Sequence, residues 1–155
     1  MNKEKEMDYR DRIHTILFLD DDPRVTAKHI DDWTLGQQIT VTTRHLLCAF
    51  KRIKFGYRDY SSESLLGWIM ESESNYLFCL SYLDWLHREY QYRNKQGGTR
   101  NNHRMYYLFS YIKDFCRDQC FVYDYVQEFR YFGPPEYKQS NVFDSYLEFY
   151  NQEFF

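Results

Sequence analysis

The chain has 155 residues, a net charge of −3 and 21% aromatic residues, with 16 Tyr and 13 Phe. That length suits one domain able to bury roughly two-thirds of its unfolded surface. The charge excludes a global basic field, no apolar run reaches transmembrane length, and no signal-peptide pattern opens the sequence, so the expectation is a cytoplasmic protein without a membrane partner. Residues 1–12 are charged and read as a frayed N-terminus ahead of one helical domain over 13–155. Ile16–Leu19 is an apolar run ending in DDDP, long enough for a short N-terminal strand. Asp22 fits a helix N-cap and Pro23 the first turn of a helix continuing through 24–33. Residues 37–53 carry two patterns: Ile39, Val41, Thr42 and Thr43 favour a strand, whereas Leu46, Leu47, Ala49, Phe50 and Ile53 favour a helix.

Ser61 or Ser62 then caps a long helix over 62–93. Its stripe is Leu65, Trp68, Ile69, Ser72, Asn75, Tyr76, Cys79, Leu83, Leu86 and Tyr90. Gly97-Gly98 marks a polar break. A third helix is expected over about 103–120, with Met105, Leu108, Phe109, Ile112 and Cys116 inward. Residues 121–132 suit a helix or an extended segment, and GPPEY at 133–137 reads as a turn. Its PPEY matches the ligand pattern of WW domains, but the aromatic flanks favour a folded turn. Asn141 caps a last helix with Phe143, Tyr146, Leu147 and Tyr150 inside. The fold class expected is mainly α, with the short strand as an addition.

The cysteines at 48, 79, 116 and 120 lie in apolar stretches and read as buried thiols in a reducing compartment. Cys116 and Cys120, with His87 and His103, lack the tight Cys pairs of a zinc site, so no metal and no cofactor is expected. Strand, acid cluster, helix and QITVTT in succession also suit a receiver-like domain holding Mg²⁺ on its acids, although no further strand–helix alternation follows. Residues 44–58 carry five Lys/Arg and no acid, and residues 88–104 carry five against one Glu. Tyr57, Tyr60, Tyr90, Tyr92, Tyr106 and Tyr107 lie in or beside these stretches. Positive charges for phosphates and rings for bases are what nucleic-acid binding requires.

A set of spaced motifs runs through the chain. Asp20, Asp22 and Pro23 form D-x-D-P, and Asp32 follows. Trp68, Glu71, Ser72, Asn75 and Tyr76 form W-x-x-E-S-x-x-N-Y. Glu89, Tyr90 and Arg93 form E-Y-x-x-R, and Pro134, Glu136 and Tyr137 form P-x-E-Y, followed by Tyr146 and Tyr150. In these the chain resembles, over nearly its whole length, a widespread small-protein family of tailed phages and bacteria. Most of that family has no known function, and some members carry a DNA-glycosylase-like label. The family's pattern H-C-D-K-H-x-x-K is not kept: Ile30 and Thr34 stand where it has His, and Gln37 where it has Lys.

The resemblance implies a phage-type accessory protein of nucleic-acid metabolism, binding DNA or a nucleotide in a cleft lined by Asp20, Asp22, Asp32, Trp68, Asn75, Tyr76, Glu89 and Arg93; Tyr90, Tyr137 and, from the basic stretch, Arg100 are further candidate binding residues. If base excision is its chemistry, Asp32 and Glu89 are the candidate catalytic carboxylates. The missing His, His and Lys favour the alternative, a non-enzymatic protein that binds a host protein. Glu89 and Arg93, four residues apart, also suit a simple exposed helix pair.

Overall fold

The computed structural model describes residues 15–51, 63–95, 102–116, 121 and 123–154. Among them are six α-helices and no strand: α1 (Pro23–His29), α2 (Asp32–Lys51), α3 (Glu63–Glu71), α4 (Glu73–Asn94), α5 (Leu108–Cys116) and α6 (Val142–Glu153), with a 3-10 turn at Pro135–Tyr137. The mainly helical expectation is borne out. Helix α4 is central and packs against α1, α2, α3 and α5.

The run Ile16–Leu19 is buried but pairs with no strand. A side chain takes the place of a neighbouring strand. The Gln38 amide accepts from the Leu17 N–H at 2.9 Å and donates to the Thr15 carbonyl at 2.9 Å. Tyr82 Oη donates to the Leu17 carbonyl at 3.1 Å. The buried backbone is thus satisfied without a sheet. Phe18 then reaches a cluster of rings, with Trp68, Phe78, Tyr82, Phe129 and Tyr146 all at 5.7–6.0 Å.

Residues 37–43 lie within α2, which overturns both the short N-terminal strand and the receiver reading. Burial of Ile39, Val41, Leu46 and Leu47 outweighs the β-preference of the branched residues. Two threonines turn their hydroxyls onto their own helix, Thr43 to the Ile39 carbonyl at 2.7 Å and Thr40 to Gly36 at 3.3 Å.

Two further expectations need correction. The first helix has the cap foreseen, since Asp22 accepts from the Arg24 N–H, but it stops at His29 rather than reaching 33. Ile30 is extended and buried, and Asp31 opens α2 by accepting from the Thr34 N–H at 3.2 Å. The stretch 62–93 is not one helix. At Ser72 the backbone is extended (φ −140°, ψ 139°), and its hydroxyl caps α4 by accepting from the Asn75 N–H at 3.3 Å.

The groups freed at that break are taken up by residues 123–132, an extended strap. Tyr123 donates to the Glu71 carbonyl at 3.1 Å and accepts from the Glu73 N–H at 3.0 Å. Ser72 and Ser74 donate to the Tyr125 and Asp124 carbonyls, and Trp68 Nε1 donates to Glu128 at 2.9 Å. Tyr146 Oη donates to the Arg130 carbonyl and accepts from the Phe132 N–H, both at 2.9 Å. A folded turn follows at 134–137, where Tyr131 Oη donates to Pro134 at 2.6 Å and the Tyr137 ring stacks 5.7 Å from Phe149. Asn141 caps α6 as expected.

The third helix begins at Leu108, after turns over 104–107. The expectations for residues 1–12, Ser61, Ser62, Gly97-Gly98, Arg100, residues 52–58 and Cys120, and for the Cys116 side chain, lie outside the described residues. Cys48 and Cys79 are buried, and burial pushes the Cys79 thiol well above its ordinary pKa.

Candidate functional site

The residues nominated from sequence separate into three places. Trp68, Asn75 and Tyr76 are fully buried. Asn75 joins three segments: Nδ2 donates to the Trp68 carbonyl at 2.7 Å and Oδ1 accepts from the Gln127 N–H at 2.8 Å. Tyr137 also serves packing, its hydroxyl donating to Glu153.

Asp20 and Asp22 sit at the start of α1. Asp20 accepts from the Asp22 N–H at 2.8 Å, and its carboxylate beside Asp21 raises the Asp21 pKa by hydrogen bonding and repulsion.

Asp32, Glu89 and Arg93 converge at the other end of α1, about 10 Å away by helix rise. Arg93 Nε donates to Glu89 at 3.0 Å and Nη1 to Asp32 at 3.1 Å. Its Nη2 lies 3.3 Å from both the Ala27 and Lys28 carbonyls. A guanidinium there satisfies the last carbonyls of α1 and complements its dipole. Both candidate carboxylates are therefore engaged by one cation, although unequally: the side chain of Asp32 is 88% exposed, and those of Glu89 and Arg93 are 16% and 20% exposed.

Close by, Tyr150 Oη donates to Asp31 Oδ1 at 3.0 Å and accepts from the Asp31 N–H at 2.9 Å. Burial pushes the Asp31 carboxyl upward, yet the hydrogen bonds from Thr34 and Tyr150 outweigh it and hold it below its ordinary pKa. Burial above all lifts the Tyr150 hydroxyl to about 12. Ile30 and Thr34 are both buried beside this corner.

Glu89 also belongs to an open groove of about 560 Å³ between α1 and α4, lined by Arg24, Ala27, Lys28, Trp85, Arg88, Glu89 and Tyr92. The Arg24 and Arg88 guanidinium carbons lie 5.8 and 4.9 Å from the Trp85 ring centre. Arg88 pairs with Asp84 at 3.1 Å and Arg24 with Asp22 at 3.8 Å, both at the surface. The Tyr92 ring is 72% exposed. Of these lining residues the sequence pointed to Glu89 as a candidate carboxylate and to Arg88 and Tyr92 as part of the basic, Tyr-bearing stretch 88–104, but not to Arg24, Ala27, Lys28 or Trp85. The signal was present as two one-faced patterns, Arg24 and Lys28 at i,i+4 and Trp85, Arg88 and Tyr92 at i,i+3,i+7. What the sequence lacks is any indication that the two faces meet.

Tyr90 lies on the other side of α4, its ring 5.2 Å from His103. Arg100 lies outside the described residues. Among the described residues no group of three His, Cys, Asp or Glu side chains could hold a metal ion, and no helix is long and apolar enough to cross a membrane. The groove brings three cationic side chains beside two aromatic rings; its carboxylate, Glu89, is held by Arg93. No protein-family model, no curated protein and no solved structure matches the chain.

Proposed function

We propose that the protein is a nucleic-acid-binding accessory protein, of the phage type suggested by the motif resemblance, that binds without base-excision activity. The observation that carries this reading is the α1–α4 groove, where Arg24, Lys28 and Arg88 surround Trp85 and Tyr92. Cations neutralise phosphates, and rings offer stacking faces to bases. The ion pairs of Arg24 and Arg88 are surface pairs, each worth about 0–1 kcal/mol, so phosphate can replace the carboxylates at little cost. Against catalysis, Asp32 and Glu89 are both bound to Arg93, and the buried Ile30 and Thr34 supply no imidazole.

The test is an electrophoretic shift across a salt series, with base release assayed in parallel. Binding is expected at low salt, and Lys28→Ala or Arg88→Ala should each weaken it and reduce the salt slope by roughly one unit. Absence of any shift at low salt rejects the reading. Robust base release that disappears in Glu89→Gln or Asp32→Asn rejects the non-catalytic part.

A host protein as partner is favoured by a different observation, the outward aromatic rings of Tyr107 (74% exposed) and Tyr125 (60%). Exposed Tyr is a common anchor at protein interfaces. On that reading Tyr107→Ala and Tyr125→Ala weaken capture of a host protein while leaving any DNA shift intact.

A further inference from the structure

We infer that the α1–α4 groove takes an unpaired base against Trp85, so that its ligand is a single strand rather than a duplex. This rests on the nucleic-acid reading above and names its substrate class. Trp85 is half-buried in the lining of the groove, whose volume of about 560 Å³ falls in the range that holds one small ligand. In a duplex the base faces are covered by their neighbours, and only edges and phosphates are presented. A paired base keeps its faces within the stack and cannot lie on the half-buried Trp85 ring, whereas an unpaired one can swing in and stack.

The second platform supports the same choice. Tyr92 follows Trp85 by seven residues on one face of α4, about 10 Å along the axis. That separation is about three of the ~3.4 Å base steps within one strand. One strand can thus offer a base to each ring, and each base must leave its pair to lie on the ring.

The cations are placed to follow such a strand. Lys28 stands on the α1 wall with no ion pair among the described residues, and Arg88 lies on α4 between the two rings. Arg24, the farther guanidinium at 5.8 Å from the Trp85 ring centre, is the one a base displaces, which frees it for the neighbouring phosphate.

The test uses the full chain with three probes: a 12-nucleotide oligo-dT, a hairpin duplex of equal charge, and inorganic tripolyphosphate. The expected result is at least tenfold tighter binding of the single strand than of the duplex at equal salt. Quenching of tryptophan fluorescence should accompany single-strand binding and vanish in Trp85→Phe, which leaves Trp33 and Trp68 in place. Trp85→Ala should weaken oligo-dT by roughly tenfold and tripolyphosphate far less. Tyr92→Ala, at an exposed ring that supports no core, should also weaken oligo-dT and so separates loss of stacking from loss of folding. Equal affinity for duplex and single strand, or oligo-dT binding indifferent to both Trp85→Ala and Tyr92→Ala, overturns this inference while the nucleic-acid reading stands. Failure of both nucleic acids to bind at low salt overturns the two together.

Discussion

His87 points from α4 into the core with neither ring nitrogen hydrogen-bonded among the described residues. It is packed by Tyr106 at 5.0 Å, Phe109 at 5.9 Å and His103 at 6.4 Å, measured between ring centres. Burial, and to a lesser degree the nearby His103, lowers its pKa from 6.5 to about 4. The folded state therefore holds this imidazole neutral where the unfolded chain would already have protonated it. The stability this preserves is complete above pH 6.5 and is lost as pH falls toward 4, at up to about 1.4 kcal/mol per pH unit. His103, also lowered by burial and by Arg104, adds in the same direction, whereas Asp31, held below 3.8, titrates beneath this window. Urea unfolding at a series of pH values should show the decline, and His87→Leu should flatten it without loss of stability at pH 7, since the leucine leaves no unpaired polar atom. A slope unchanged in the variant would place the acid sensitivity elsewhere.

The elements show where helical spacing informs and where it misleads. Trp68, Ser72, Asn75 and Tyr76 keep a helix-like phase, and all four are buried, yet the helix is interrupted at the second of them. The phase survives because α3 and α4 turn their apolar faces to the same core on either side of a single extended residue. Periodicity reports which side faces inward; it does not report whether the hydrogen-bond ladder is continuous. The same limit applies to α2, where branched residues suggested a strand and the hydroxyl bonds of Thr40 and Thr43 to their own helix could not be seen in advance. Caps, by contrast, were readable, because Asp22 and Asn141 act within three residues of themselves. Asn75 is the test at this scale. Its amide must donate to Trp68 and accept from Gln127 at once. Asn75→Ala should cost on the order of 1–3 kcal/mol in chemical denaturation, and Asn75→Asp should be no better, because a carboxylate cannot donate to the Trp68 carbonyl. A cost below about 0.5 kcal/mol for both would deny the joint its role.

At the scale of the molecule, much of the helical framework was legible and the assembly of the site only in part. The Glu89–Arg93 pair follows from four-residue spacing, but Asp32 joins it from 61 positions away, and the groove needs α1 laid along α4. Such meetings arise from packing between distant segments, for which a single sequence carries no periodic signal. The strap over 123–132 is the clearest case, since its apolar residues suited a helix as well as an extended chain. Its form also sets how the protein opens. Helix α4 is held by a continuous ladder inside the core, whereas the strap hangs on separate bonds to Ser72, Ser74, Asn75, Trp68 and Tyr146. Each bond can be lost without unwinding a helix, so the strap should detach as a cooperative unit below the free energy of global unfolding. Native-state hydrogen exchange should then find the amides of Tyr123, Gln127 and Phe132 sharing one opening free energy, lower than that of Leu83 and Leu86 in α4. Equal values for both sets would mean that strap and core open only together. Where the free energies differ, the first event under mild denaturant is withdrawal of Phe129 from the rings around Phe18, which bares Trp68 and Phe78 while the helices remain wound.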